Sequence, residues 1–239
     1  MAEALQALRT MEYPGRVIII GRNPDGSDVV MYAITGRSPS SQARRLEIDE
    51  QKKRVYVKPT DEETLKTGQP DLLVYPAIIC GDGIVVGNGK QTDDISAAIS
   101  ASRDPAVVLA EGQTKWEYEP DEPNYTPRIS GCISAGSALS ILKRADDGSV
   151  IRNYLGIPMI PGKGKLIATY TGVNEKPLPS FVGEPQDVEV TWATAAERAE
   201  AMYEALGPAE GQPDFRVSTA CALVSKSGVD LKVKNRHGG

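Results

Sequence analysis

Apolar residues along this chain come in short blocks bounded by turn residues, more often than at helical spacing. Val17-Ile18-Ile19-Ile20 lies within Arg16 to Arg22, a second β-rich run covers Asp28 to Thr35, and Asn23-Pro24-Asp25-Gly26 separates them. A connection that short cannot carry a parallel crossover, so the pattern predicts an antiparallel hairpin. The same signature recurs at Leu72 to Cys80 and Ile84 to Val86 around Gly81-Asp82-Gly83. It appears again at Ala138 to Lys143 and Val150 to Leu155 around Asp146-Asp147-Gly148. Further strands are expected from Ile129, over Phe215 to Val224 and over Val229 to Val233.

Helical spacing is confined to three stretches. Residues 2 to 11 place Leu5, Leu8 and Met11 on one face ahead of the Pro14-Gly15 break. Thr92 to Ser102 is alanine-rich with isoleucines at 95 and 99, and Thr194 to Leu206 carries its acids early and stops at Gly207-Pro208. Hairpins outnumber helices, which indicates an α+β fold of antiparallel sheets partly covered by helices and not a doubly wound parallel sheet. No internal repeat or low-complexity block interrupts the chain. The Pro-rich stretches 119 to 127 and 176 to 185 are too short to be linkers, so residues 1–239 are read as one domain.

Composition narrows the function classes. A formal charge of −5 argues against a nucleic-acid partner, which needs clustered cations, but allows a local cationic pocket for a small anion. No apolar run approaches the roughly 20 residues that cross a bilayer, and Glu3 and Arg9 sit where a signal peptide would be apolar. The expectation is therefore a cytoplasmic protein with no membrane partner; homo-oligomer formation is left open. Cys80, Cys132 and Cys221 are widely spaced and odd in number, which predicts neither disulfides nor a zinc site. The sole histidine is His237, close to the end. A Ser-His-Asp triad or a His-rich metal site is thereby disfavoured, and proton transfer must fall to carboxylates, Lys, Tyr, Cys, backbone or water.

Three segments carry candidate chemistry. Gly36-Arg37-Ser38, with Arg44 and Arg45 just beyond, concentrates cations and hydroxyls as a phosphate site would; a solvated basic loop has the same composition. Asn88-Gly89-Lys90-Gln91-Thr92-Asp93 joins a strand to a helix, where backbone N–H groups and Thr92 could meet an anion or a ribose, or simply form a turn and a cap. Residues 117 to 128 pack four acids, Tyr118, Tyr125, three prolines and Arg128 into a dozen positions, a composition suited to rigid donors and acceptors. By contrast, Pro161-Gly162-Lys163-Gly164-Lys165 lacks P-loop spacing and reads as a turn, and Leu178 to Pro185 reads as a structural loop.

Taken in order, Tyr13-Pro14-Gly15-Arg16, Gly36-Arg37-Ser38, Tyr75, Asn88-Gly89 with Thr92-Asp93, and Asn124-Tyr125-Thr126-Pro127-Arg128-Ile129 resemble the stand-alone IMP cyclohydrolase family from residue 13 to about 185. The resemblance implies a four-layer αββα sandwich of antiparallel sheets like that of the N-terminal-nucleophile hydrolases. It further implies closure of formamidoimidazole-carboxamide ribotide to inosine monophosphate with loss of water, the last step of purine synthesis, with no metal and no redox cofactor. Among the residues it points to, Tyr75, Glu119 and Tyr125 are the catalytic candidates. Arg37, Ser38 and Arg44 would hold the phosphate, with Arg45 an alternative to Arg44. Asn88 and Thr92 would touch ribose or base, and Asp93, Asn124 and Arg128 would either bind substrate or brace the loops. A small-amide hydrolase of the same fold is a rival, although no Cys, Ser or Thr heads the first strand as its nucleophile. So is a non-catalytic regulatory module that binds purine nucleotides.

Overall fold

The structure, a computed structural model, describes residues 5–60, 63, 74–100 and 103–237. A short helix α1 (Gln6–Arg9) leads into β1 (Arg16–Arg22) and β2 (Asp28–Thr35), and one turn of helix, α2 (Pro39–Gln42), precedes β3 (Arg44–Asp49) and β4 (Arg54–Pro59). Next come β5 (Tyr75–Cys80), β6 (Ile84–Gly87), α3 (Gln91–Ala98) and α4 (Pro105–Gly112). The chain continues through β7 (Arg128–Ile133), β8 (Ser137–Arg144), β9 (Val150–Gly156), β10 (Lys163–Ala168) and β11 (Gln186–Glu189). It finishes with α5 (Ala195–Ala205) and the hairpin β12 (Arg216–Ser225) and β13 (Gly228–Asn235).

These strands form two antiparallel sheets, ordered β11-β10-β1-β2-β12-β13 and β3-β4-β5-β6-β7-β8-β9, and the fold is α+β. The hairpins expected at 16–35, 75–86 and 138–155 all form, with β1 and β2 in continuous register from Arg16↔Ile34 to Arg22↔Asp28. Central strands are covered on both faces, which is why Val17 to Ile20 reads as an unbroken apolar run and not as an alternation. One core joins the inner faces of the two sheets. Their approach is close: a Cβ on Gly131 of β7 would lie 2.4 Å from Ile20 Cδ1 of β1, so an alanine there would force the Ile20 side chain to shift.

Helices take the outer faces. Helix α5 packs on β12, β13 and β2 through Ala195, Ala199 and Met202, while α3 and α4 pack on the second sheet between β5 and β9. Thr194 and Glu197 close a capping box at the start of α5, the Thr-x-x-Glu signal visible in the sequence. Opposite, at β3 and β13, the Asn235 side chain accepts from Leu46 N–H and donates to Leu46 C=O, fastening the two sheets along that edge.

Some boundaries differ from expectation. Helix α1 covers only Gln6–Arg9, with residues 2–4 outside the described set, and Leu72 and Leu73 likewise lie outside it. Helix α3 ends at Ala98 because Ile99 turns extended (φ −69°, ψ 142°); Ala101 and Ser102 are outside the described residues. Periodicity does not single out the strands β3, β4, β10 and β11 or the helix α4; of the stretch Pro161 to Lys165 read as a turn, Lys163 to Lys165 lie in β10, paired with β1. Helix α4 did carry a start signal, Asp104 accepting from Ala106 and Val107 N–H with Pro105 at the first helical position.

Candidate functional site

The antiparallel registers bring Arg44, Tyr75, Asn88 and Arg128 to one end of the second sheet, at the starts of β3, β5 and β7 and just after β6. From the first sheet, Arg16 joins them at the start of β1. The chain enters β1 through Gly15 at φ +76°, where a Cβ would sit 2.1 Å from Thr169 Oγ1. Only glycine permits that approach, and it delivers Arg16 to the buried interior.

Across this end runs the 113–127 loop. Glu119 N–H donates to Thr126 C=O at 2.8 Å, Asp121 accepts from both the N–H and the hydroxyl of Thr126, and the Thr126 and Tyr170 hydroxyls meet. The Glu122–Pro123 peptide is cis, and Tyr125 holds a left-handed backbone at φ +45°. These bonds seat the Glu119 side chain inside the protein at 2% exposure, with Oε1 3.6 Å from Arg128 Nη1. Arg128 itself donates to Gln91 Oε1 at 3.1 Å and stacks 4.7 Å over the Trp116 ring.

The cluster is electrostatically unusual. Burial pushes the Glu119 carboxyl up to about 7, against the pull of Arg16, Arg128 and Arg44. For Arg44, burial and the neighbouring Arg16 charge lower the guanidinium to about 10. Burial also works against the Arg16 charge, but Tyr75 and Glu119 beside it prevail and hold it above the ordinary range. Each of these side chains has a buried polar atom with no hydrogen-bond partner: Arg16 Nε, Arg44 Nη1, Arg128 Nε and Glu119 Oε1. Buried polar atoms are nearly always satisfied, so four such atoms in one cluster mark it as the candidate place for a polar ligand.

Comparison with known proteins supplies the family. A family model described as "IMP cyclohydrolase-like protein" matches residues 13–226. The chain belongs to the IMP cyclohydrolase-like family. Its relatives include the IMP cyclohydrolase of Methanopyrus kandleri, 31% identical over 69% of this chain and 78% of that protein. Those of Haloquadratum walsbyi and Methanocaldococcus jannaschii are 30% and 25% identical, over 74% and 94% of this chain and 80% and 100% of theirs.

Within this member of the IMP cyclohydrolase-like family, the residues singled out from sequence divide into two groups. Arg44, Tyr75, Glu119 and Arg128 meet in the cluster. Between the two adjacent arginines, Arg44 is the buried one, whereas Arg45 is partly exposed and pairs with Glu47. The others have partners of their own. Arg37 donates to Asn174 Oδ1 at 2.9 Å and Glu175 C=O at 3.1 Å and lies over Tyr13, and Ser38 caps α2. Thr92 donates to Gly89 C=O at 2.8 Å, Asp93 pairs with Arg54 at the surface, and Asn124 accepts from Leu178 N–H at 3.1 Å. Tyr125 packs edge-on against Tyr118 and beneath Arg144.

Asn88 is fully buried and clamps the start of β7, donating to Pro127 C=O at 2.9 Å and accepting from Ile129 N–H at 2.8 Å. Asn88→Ala would leave both backbone groups buried and unsatisfied. The expected loss is about 2–4 kcal/mol of stability, read as a melting temperature lowered by about 5–15 °C; an unchanged melting curve would show that the clamp is dispensable.

Sequence reasoning assigned no role to Arg16, Tyr32, Gln91 or Tyr170. Arg16 did carry a signal, since a cation opening the apolar run Val17 to Ile20 is costly to bury unless something requires it. Tyr32 carried none: in sequence it is one more large core residue of β2.

Proposed function

We propose that this chain is an IMP cyclohydrolase, closing formamidoimidazole-carboxamide ribotide to inosine monophosphate in purine synthesis. The observation that carries the reading is the set of unpartnered atoms on Arg16, Arg44, Arg128 and Glu119, which matches an anionic substrate rich in amide groups. The names of the relatives support it. The fold is read as an αββα sandwich of the N-terminal-nucleophile hydrolase type, in keeping with two antiparallel sheets that carry helices on their outer faces.

The reaction is intramolecular, so the enzyme's task is to select the folded conformer and move protons. As the carboxamide nitrogen bonds to the formyl carbon, that nitrogen loses one proton and the formyl oxygen gains one. The formamido nitrogen then loses its proton and the oxygen leaves as water. Glu119, poised near neutrality, takes the carboxamide proton as a base and delivers it to the formyl oxygen, then carries the formamido proton to that same oxygen as it departs as water. Arg16 lies among Tyr75, Glu119 and Tyr32; its free Nε and the Tyr75 hydroxyl donate to the formyl oxygen as negative charge develops there. Arg44, on which Arg16 exerts the largest charge effect and which acts on Glu119 less than Arg16 and Arg128 do, takes the phosphate. Arg37, Asn88, Thr92, Asn124 and Tyr125 hold the loops that frame the site, and Ser38 and Asp93 cap and pair at its margin.

A direct assay tests this reading. The purified protein is expected to convert the formamido ribotide to inosine monophosphate, followed by ultraviolet absorbance. Stabilisation by inosine monophosphate without turnover would instead make the chain a nucleotide-binding regulator.

A further inference from the structure

Tyr32 stands in the middle of β2, paired with Ile18 on β1 and Ala220 on β12, and its side chain is fully buried between the sheets. Its neighbours on that face, Val30 and Ile34, are plain hydrocarbon. Phenylalanine would fill the same space, so the hydroxyl needs its own explanation. It lies 2.7 Å from the Tyr75 hydroxyl, and either oxygen could be the donor.

The positions of the two phenols select one direction. Each phenol has a single hydrogen. If Tyr75 donated, the Tyr32 hydrogen would need another acceptor, and among the described residues the Tyr32 hydroxyl has no hydrogen bond except the one to Tyr75. The charged neighbours of the pair, Arg16 and Arg44, are donors only. If Tyr32 donates, the remaining hydrogen is that of Tyr75, which opens β5 beside Arg16 and Arg128 and can point into the site. We propose that Tyr32 is a positioning residue: by donating to the Tyr75 oxygen it turns the Tyr75 hydrogen toward the substrate. Burial above all, then the adjacent Tyr75, holds the Tyr32 phenol well above its ordinary range, so it keeps the proton it must donate. The inference rests on the cyclohydrolase reading in one respect, that Tyr75 faces the bound ribotide.

The test is a double-mutant cycle with Tyr32→Phe and Tyr75→Phe, read both as ring-closure kinetics and as calorimetric binding of the formamido ribotide in a Glu119→Gln background that turns it over slowly. Tyr32→Phe is expected to lower kcat about 10-fold and weaken formamido ribotide binding about 3- to 10-fold, as for one misdirected hydrogen bond, with an unchanged melting temperature. In the Tyr75→Phe background the same substitution is expected to change neither quantity, because the hydrogen it orients is gone. A purely packing role predicts equal losses in both backgrounds, and that additivity would overturn the proposal. So would a wild-type kcat and wild-type binding in Tyr32→Phe. If the protein binds the formamido ribotide but the unaltered chain closes no ring, the functional reading fails alone, and the binding cycle still decides the role of Tyr32. If it does not bind the nucleotide at all, both fall.

Discussion

Glu119→Gln is expected to lower kcat by about 10²–10⁴ while removing most of the protein's pH-dependent instability, two effects that a purely structural carboxylate would not combine. The fold seats this carboxyl at about 7, against an ordinary value of 4.5, because it is buried faster than Arg16 and Arg128 can compensate. The folded state therefore holds its proton more tightly than the unfolded chain does. Below about 4.5 both states are protonated and the contribution is fully present. As pH rises the unfolded state ionises first, so stability falls until the folded group ionises near 7, a loss of about 3 kcal/mol. Denaturant titrations between pH 4 and 8 should show that decline in the natural protein and a much flatter profile in the variant. In catalysis the sign reverses, since the ionised form begins the reaction as a base. The kcat/KM of the natural enzyme should rise through about 7 and level off above it, and Glu119→Gln should lack that inflection. A variant with full kcat would remove Glu119 from the chemistry.

Arg16→Met should cost about 10²–10³ in kcat, the range for losing a donor aimed at a developing oxyanion. A second signature identifies the mechanism: Arg16 is the strongest of the charges that pull Glu119 down, so its removal should move the remaining pH inflection of kcat/KM upward. Methionine keeps the length and most of the volume, and the site loses a charge without gaining a cavity. Pre-steady-state turnover across pH reads both effects. A rise in KM alone, with kcat and the inflection unmoved, would place Arg16 on the phosphate and leave the oxyanion role to Tyr75.

Both predictions turn on atoms whose importance the sequence showed unevenly. Glu119 and Tyr75 were legible through a family resemblance carried by segments such as Asn124 to Ile129, and the loop around Glu119 stood out by its prolines and acids. Arg37 and Ser38 stood out equally, as cations and hydroxyls after a strand do; in the structure Arg37 donates through Nη1 to Asn174 and Glu175, and Ser38 caps α2. Composition shows that a cation is present but not which partner, ligand or loop, it will find. Arg44 and Arg45 are neighbours of the same type. Strand alternation sends Arg44 inward and Arg45 to Glu47, and which way that alternation falls depends on the register of β3 with β4.

By itself the sequence determined the local grammar: hairpins where apolar blocks flank Asn-Pro-Asp-Gly or Asp-Asp-Gly turns, the capped helix α5, an α+β architecture without a parallel sheet, and the family. These follow from interactions between residues near each other in the chain, or from motif order. Only the tertiary structure decided that Arg16, Tyr32, Arg44, Tyr75, Glu119 and Arg128 share one buried space. They come from strands of two sheets and a distant loop, and their charges and missing partners take on meaning only when sheet packing removes water from between them.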